Sequence, residues 1–219
     1  GAGNVVKKWT DTGNIADLAG TPPAAPVLRE HQGRLWCNDK TNLDRLHYST
    51  TFNTEEWNGA GDSGALDIGV GDGDPSGITA IFPTFKGELF VAKKTKLYRV
   101  TGDAPENYDV QLVTSGLGCV SHNAVVSVDD ADIFFPSERG IHSLLATQAF
   151  GDFESKYLSA DIQATYNDNF TQSRRPYMHA TYLSNINCAA FAVTDNDFSA
   201  SANKVLYFYH ITSGQWFRW

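Results

Sequence analysis

At 219 residues, with 42% hydrophobic and 19% charged side chains, the chain has a globular composition and is long enough to bury a core. Its 25 acidic and 17 basic residues leave a formal net charge of −8. That balance repels phosphate and argues against sequence-independent nucleic-acid binding, while leaving room for a local basic strip. Three cysteines, Cys37, Cys119 and Cys188, are widely spaced and include no CxxC pair, so they read as buried free thiols rather than a zinc ribbon or a disulfide framework. No apolar run has the length of a membrane span, and no signal-peptide pattern is visible. The opening Gly1-Ala2-Gly3-Asn4 reads like a cut end.

Taken in chain order, the sequence resolves into repeated groups of four strands. Residues 4–12 (NVVKKWTDT) read as a third strand and 15–20 (IADLAG) as a fourth, so a partial blade is expected over 4–20. A first full copy follows at about 26–70, with strands PVLREHQ, RLWCND, RLHYSTT and ALDIGVG. The second, 78–115, has ITAIFPTF, ELFVAKK, KLYRVTG and YDVQLVTS. The third, 123–159, has NAVVSVD, DIFFPSE, GIHSLLAT and FESKYLS. A short helix is expected over 159–166, with Ser159 as its N-cap, and Pro176 in SRRPY is expected to restart extended chain. The fourth copy, 178–219, has MHATYLS, CAAFAVTD, KVLYFYHI and GQWFRW.

Two features turn this repeat into a fold. Leu35, Leu89, Ile133 and Ala189 hold equivalent places, at spacings near the roughly 40–50 residues of propeller blades. Central strands such as DIFF, AFAV and LYFY are apolar on both faces, as sheets stacked between neighbours require. YDVQLVTS and FESKYLS are more polar, as outer edges should be. The reading is an all-β propeller of four-stranded antiparallel blades, four full and one partial, forming a five-bladed ring or part of a larger propeller. A two-sheet sandwich is the alternative. Four and a half blades leave a raw edge, so the chain is expected to be a fragment of a longer one.

The search for chemistry yields little. GVGDGDPSG (69–77) follows a strand but lacks the Lys-Ser/Thr and the helix of a phosphate loop. Asp72 and Asp74 in it could offer carboxylates to calcium, but the further oxygen ligands do not arrive on schedule, and a turn between blades is the preferred role. His31, His47, His122, His142, His179 and His210 form neither HxH nor HExxH. Lys93, Lys94 and Lys96 make the one tight lysine cluster, read as a solvated hairpin. STTFNTEEW (49–57) lacks the Asp and Gly of a sialidase-type Asp box, ITSGQW (211–216) reads as a Gly turn, and no GxSxG occurs. Trp9, Trp36, Trp57, Trp216 and Trp219 could stack on sugars, but large aromatics also fill gaps between splayed blades. Paired carboxylates for sugar hydrolysis are not singled out. No catalytic, cofactor-binding or metal-binding residue is assigned.

Three stretches carry a resemblance: TPPAAPVLREHQGRLW (21–36), ITAIFPTFKGELFVAKKTKLYRVTGDAP (78–105) and SGLGCVSHNAVVSVDDADIFFPSERGIHSL (115–144), continued by ATQAFGDFESKYLS. Together, over residues 20–168, they resemble the propeller region of short-tailed bacteriophage and prophage tail hub, or nozzle, proteins. The resemblance implies a non-enzymatic virion component without cofactors, assembling as a homo-oligomeric ring with other tail proteins around the DNA exit channel. It offers no catalytic residue to carry over. DNA would pass an acidic wall without specific binding, and a Lys/Arg-rich lumen would count against this. A lectin-like propeller that binds a glycan receptor, and a glycan-degrading propeller enzyme, are the alternatives.

Overall fold

The computed structural model describes residues 5–9, 13–150, 156–196 and 202–219. The chain is a β-propeller of antiparallel, consecutively connected sheets. A two-stranded half-blade, β1 (Lys7–Lys8) and β2 (Ala16–Asp17), comes first. Blade 1 is β3 (Leu28–His31), β4 (Arg34–Asn38), β5 (Arg45–Tyr48) and β6 (Gly64–Asp67). Blade 2 is β7 (Ala80–Ile81), β8 (Leu89–Ala92), β9 (Lys96–Thr101) and β10 (Asp109–Ser115). Among the described residues blade 3 has three strands, β11 (Val126–Val128), β12 (Asp132–Pro136) and β13 (Ile141–Ser143). Blade 4 is β14 (His179–Leu183), β15 (Cys188–Val193), β16 (Val205–His210) and β17 (Gln215–Arg218).

Strand alternation explains the stacking. Successive side chains point to opposite faces, and each middle blade divides its apolar residues between two cores. In blade 2, Ile81, Leu89, Val91, Tyr98 and Val100 pack with Trp36, Leu46 and Ile68 of blade 1 and its exit. Phe82, Phe90, Ala92 and Leu97 belong to a second core, with Ile133 and Phe135 of blade 3. Phe134 and Ile141 then turn the opposite way, toward Ala189, Phe191 and Val193 of blade 4. The half-blade joins through Val6 and Leu18, which meet Cys37 and Trp57. A two-layer sandwich would give one shared core; this chain has a series of them.

The first strands converge. Arg29 of β3 donates to the Ile81 carbonyl of β7 at 3.3 Å, His31 meets Thr84 at 2.7 Å, and the Ile81 N–H donates to His122 Nδ1 at 3.4 Å. Fourth strands are mostly exposed, as along β10 and β17. The inner strands β7 and β11 are largely buried, whereas β14 of blade 4 is partly exposed.

Four expectations about the third blade and its exit need correction. Its third strand stops at Ser143, and the remaining SLLAT enters helix α1 (Leu144–Phe150). Ser143 Oγ accepts the Ala146 N–H at 3.0 Å and Asp132 accepts the Leu145 N–H at 3.1 Å, so two donors of the first turn are capped. The expected fourth strand, 153–159, lies partly outside the described residues, and residues 156–159 are 3-10, coil and turn rather than strand. The helix expected at 159 begins as a 3-10 turn, Ala160–Ile162, and continues as α2 (Gln163–Asp168). Ser159 is not its side-chain cap: its Oγ instead accepts the Ile141 N–H at 3.0 Å. Pro176 does not restart extended chain. It sits inside a 3-10 helix, Gln172–Tyr177, whose tight turns tolerate the missing donor.

Candidate functional site

The chemistry-bearing side chains gather mainly at the joints between blades. One of these joints overturns the solvated reading of Lys93. The β8–β9 turn drives this side chain out of water completely, and its ammonium lies 2.8 Å from Asp44, 3.1 Å from Asp72 and 3.0 Å from the Gly69 carbonyl. Asp44 precedes β5 and Gly69 follows β6 in blade 1, so a blade 2 lysine closes the seam from across it. Tyr98 donates its hydroxyl to Asp72, and Lys96 donates to the Asp72 carbonyl. Asp74 accepts from the Ser76 N–H at 2.9 Å and the Thr95 N–H at 2.8 Å. Burial works to raise the Asp74 pKa, but these bonds outweigh it and bring the carboxyl down to about 2.

This is the GVGDGDPSG segment. It is a turn: Asp72 is paired with the protein's own Lys93 ammonium, and Asp74 is engaged by Ser76 and Thr95. Gly69 has a φ of +61°, and a Cβ there would come within 2.0 Å of the Tyr98 hydroxyl, so the close approach requires glycine. Lys94 is the half-exposed member of the lysine trio and pairs with Glu138 of blade 3 at 2.7 Å.

A second polar joint lies between blade 3 and the segment entering blade 4. Buried Arg175 donates to the Tyr166 carbonyl at 2.9 Å and to the Glu138 carbonyl, with its guanidinium 4.4 Å from the centre of the Tyr166 ring. Beside it, Ser137 and His142 are 2.7 Å apart. This pair has nucleophile-and-base geometry, yet both side chains are buried. Ser137 Oγ accepts from the Arg139 N–H (2.9 Å) and the Gly140 N–H (3.2 Å), which makes it the organiser of the SERG turn. Burial, helped by the Arg139 charge, pushes His142 down to about 3, so it is neutral near pH 7.

At the convergent first strands, Arg29, His31, Thr84 and His122 form a small polar group. Burial and then the Arg29 charge lower His122 to about 4, and burial also lowers His31. A shallow hollow of about 490 Å³ beside them is lined by Leu28, Arg29, Glu30, Leu35, Pro83 and Thr84. Glu30 is the one carboxylate in that lining and already accepts the Gly33 N–H at 2.9 Å. Two-carboxylate glycoside chemistry has no second member there.

The other sequence candidates disperse. Among the described residues, no group of three or more His, Cys, Asp or Glu side chains could hold a metal ion. The three cysteines are free and buried, and burial raises Cys37 and Cys119 to about 12. Trp36 and Trp57 are sealed in inter-blade cores, and Trp216 packs against another. Trp9 and Trp219 are exposed. No helix among the described residues is long and apolar enough to cross a membrane.

One large surface feature was not anticipated. Blade 4 turns Phe191 inward, but its other face forms an open apolar groove of about 730 Å³. Cys188, Ala190 and Ala192 make the floor, and Leu206, Phe208, Phe217 and Trp219 the wall. The alternation in CAAFAV and KVLYFYHI contained the signal.

No family model and no curated protein matches the chain. Among solved structures, it is similar to selenomethionine-substituted virginiamycin B lyase from Staphylococcus aureus, with a TM-score of 0.56 and 14% sequence identity. That similarity covers 99% of this chain but spans only 63% of the lyase chain, and at such identity it shows a shared propeller fold.

Proposed function

We propose that this propeller is a structural sector of a bacteriophage tail hub or nozzle, working in a homo-oligomeric ring with other tail proteins. The observation that carries the reading is the use of buried charge for cohesion. Lys93 with Asp44 and Asp72, and Arg175 with Glu138, bind neighbouring blades together, and the open hollow of about 320 Å³ beside Asp44 and Asp72 has its carboxylates already engaged by Lys93. A propeller so joined suits a load-bearing part. The sequence resemblance over residues 20–168 supplies the viral assignment, and the net charge of −8 suits a channel that lets DNA slide past.

A catalytic reading draws support from the lyase named in the structural comparison and from the hollow beside Arg29 and Glu30. A lectin reading would need comparable aromatic pockets in successive blades, whereas Trp36 and Trp57 are consumed in packing. The deciding experiment is immunogold labelling of phage particles with antibody raised against this chain, together with particle mass and electron microscopy of the purified protein. Tail-tip labelling and ring-shaped particles are expected. Glycan turnover or glycan-array binding, with unlabelled tails, would replace the proposal.

A further inference from the structure

The inter-blade packing rule leaves one face unused. Blade 2 presents Ala80, Phe82, Phe90 and Ala92 to the following blade, and Ile133 and Phe135 from that blade's second strand fill the space over the alanines. Phe82 and Phe135 meet with ring centres 5.0 Å apart. Blade 4 repeats the downstream half of this arrangement. Its cross-strand rows run Thr181–Ala190–Phe208–Phe217 and His179–Ala192–Leu206, with small residues on the second strand and large ones beyond. Nothing described fills the groove over Ala190 and Ala192.

We infer that this face seats a further four-stranded blade of the same polypeptide, supplied by residues outside these 219, with bulky apolar side chains of its second strand entering over Ala190 and Ala192. Two arguments favour that occupant over a second copy. A face of four strands about 4.8 Å apart and about six residues long covers roughly 400 Å², about half of the ~800 Å² per partner of a stable standard interface. A tethered blade needs far less area, because its docking is intramolecular. Doubling four and a half blades would also give about nine around an axis, beyond the usual four to eight. More than a third of the similar lyase chain has no counterpart here, so a propeller with this blade arrangement does accommodate additional chain. The inference rests on the propeller stacking and is independent of the phage reading.

The test compares this 219-residue chain with the natural polypeptide that contains it, by hydroxyl-radical footprinting. Phe52, 88% exposed and remote from the groove in the sequence, is the internal standard. In the 219-residue chain, Phe217 (51% exposed) and Trp219 (84% exposed) are expected to be modified readily. In the natural polypeptide they should be protected several-fold relative to Phe52. Equal modification in both overturns the inference, as does a concentration-dependent dimer of the 219-residue chain that protects the same residues. Ala190→Trp provides a second readout: a neutral or raised melting temperature in the 219-residue chain, and a clear fall in the natural polypeptide through overpacking. Neutrality in both would overturn the proposal even if the phage assignment stood.

Discussion

Blades 2 and 4 are built from the same kind of sheet and live in different surroundings. Both alternate apolar residues to two faces. In blade 2 both faces are covered, and Lys93 locks one seam with two carboxylates. In blade 4 one face packs on blade 3 while the other is the open groove. An identical strand pattern therefore has different energetic weight according to what lies opposite it. Burial by a neighbour, rather than strand formation alone, is where a propeller's stability resides.

The comparison can be broken most severely at Phe90. It is fully buried between blades 2 and 3, and Phe90→Ala should cost about 3–5 kcal/mol through lost transfer energy and a residual cavity. The half-buried Phe208 of blade 4 should cost far less on truncation in this chain. Denaturant melts of the two variants would measure the contrast, and equal losses would contradict it. Next comes the charge joint. Lys93→Met leaves Asp44 and Asp72 facing each other without their cation and should cost about 3 kcal/mol. Adding Asp72→Asn should recover part of it, because the repulsion is then removed; strict additivity of the two variants would argue against a coupled pair.

Acid provides a smaller, graded test. The buried His142 is neutral in the folded state down to about pH 3, whereas the unfolded side chain protonates near 6.5. The unfolded state thus binds more protons between these values. His142 stabilisation is full above about pH 6.5 and declines at about 1.4 kcal/mol per pH unit below it, until folded His142 itself protonates. Asp74 adds its own loss between about pH 4 and 2, since its folded pKa is depressed. His142→Gln should flatten the melting-temperature profile between pH 6 and 4; an unchanged slope would assign the acid sensitivity elsewhere. The smallest effect belongs to Phe217→Asp on the wet face, expected within about 0.5 kcal/mol in the 219-residue chain.

Strand alternation made blades 1, 2 and 4 legible in the sequence; DIFF lies in a sheet packed on both faces, whereas AFAV, read the same way, packs on blade 3 with one face and leaves the other in the open groove. The third blade was harder, because SLLAT is apolar enough to continue a strand. Its helix is decided by Ser143 and Asp132 capping the first turn, and Asp132 is 13 residues from the Leu145 N–H it accepts. Lys93 misled for a related reason. Three lysines in a tight turn suggest solvent, but the carboxylates that bury one of them come from Asp44 and Asp72, across a blade boundary. Local pattern recorded which residues alternate; partners set by three-dimensional stacking had no local trace. The open groove was in principle readable from alternation, once it was asked what lies beyond blade 4.

The meandering order of the sheets has a consequence for how such a chain is made. Each described ladder joins strands that are consecutive in sequence, so pairing closes short loops at little entropic cost. A blade can zip up as soon as its last strand leaves the ribosome, then wait for the following one to shelter its oily side. Low contact order favours rapid folding for an all-β protein, while each newly made wedge briefly offers a sticky flank. Vectorial synthesis limits that hazard to one flank at a time.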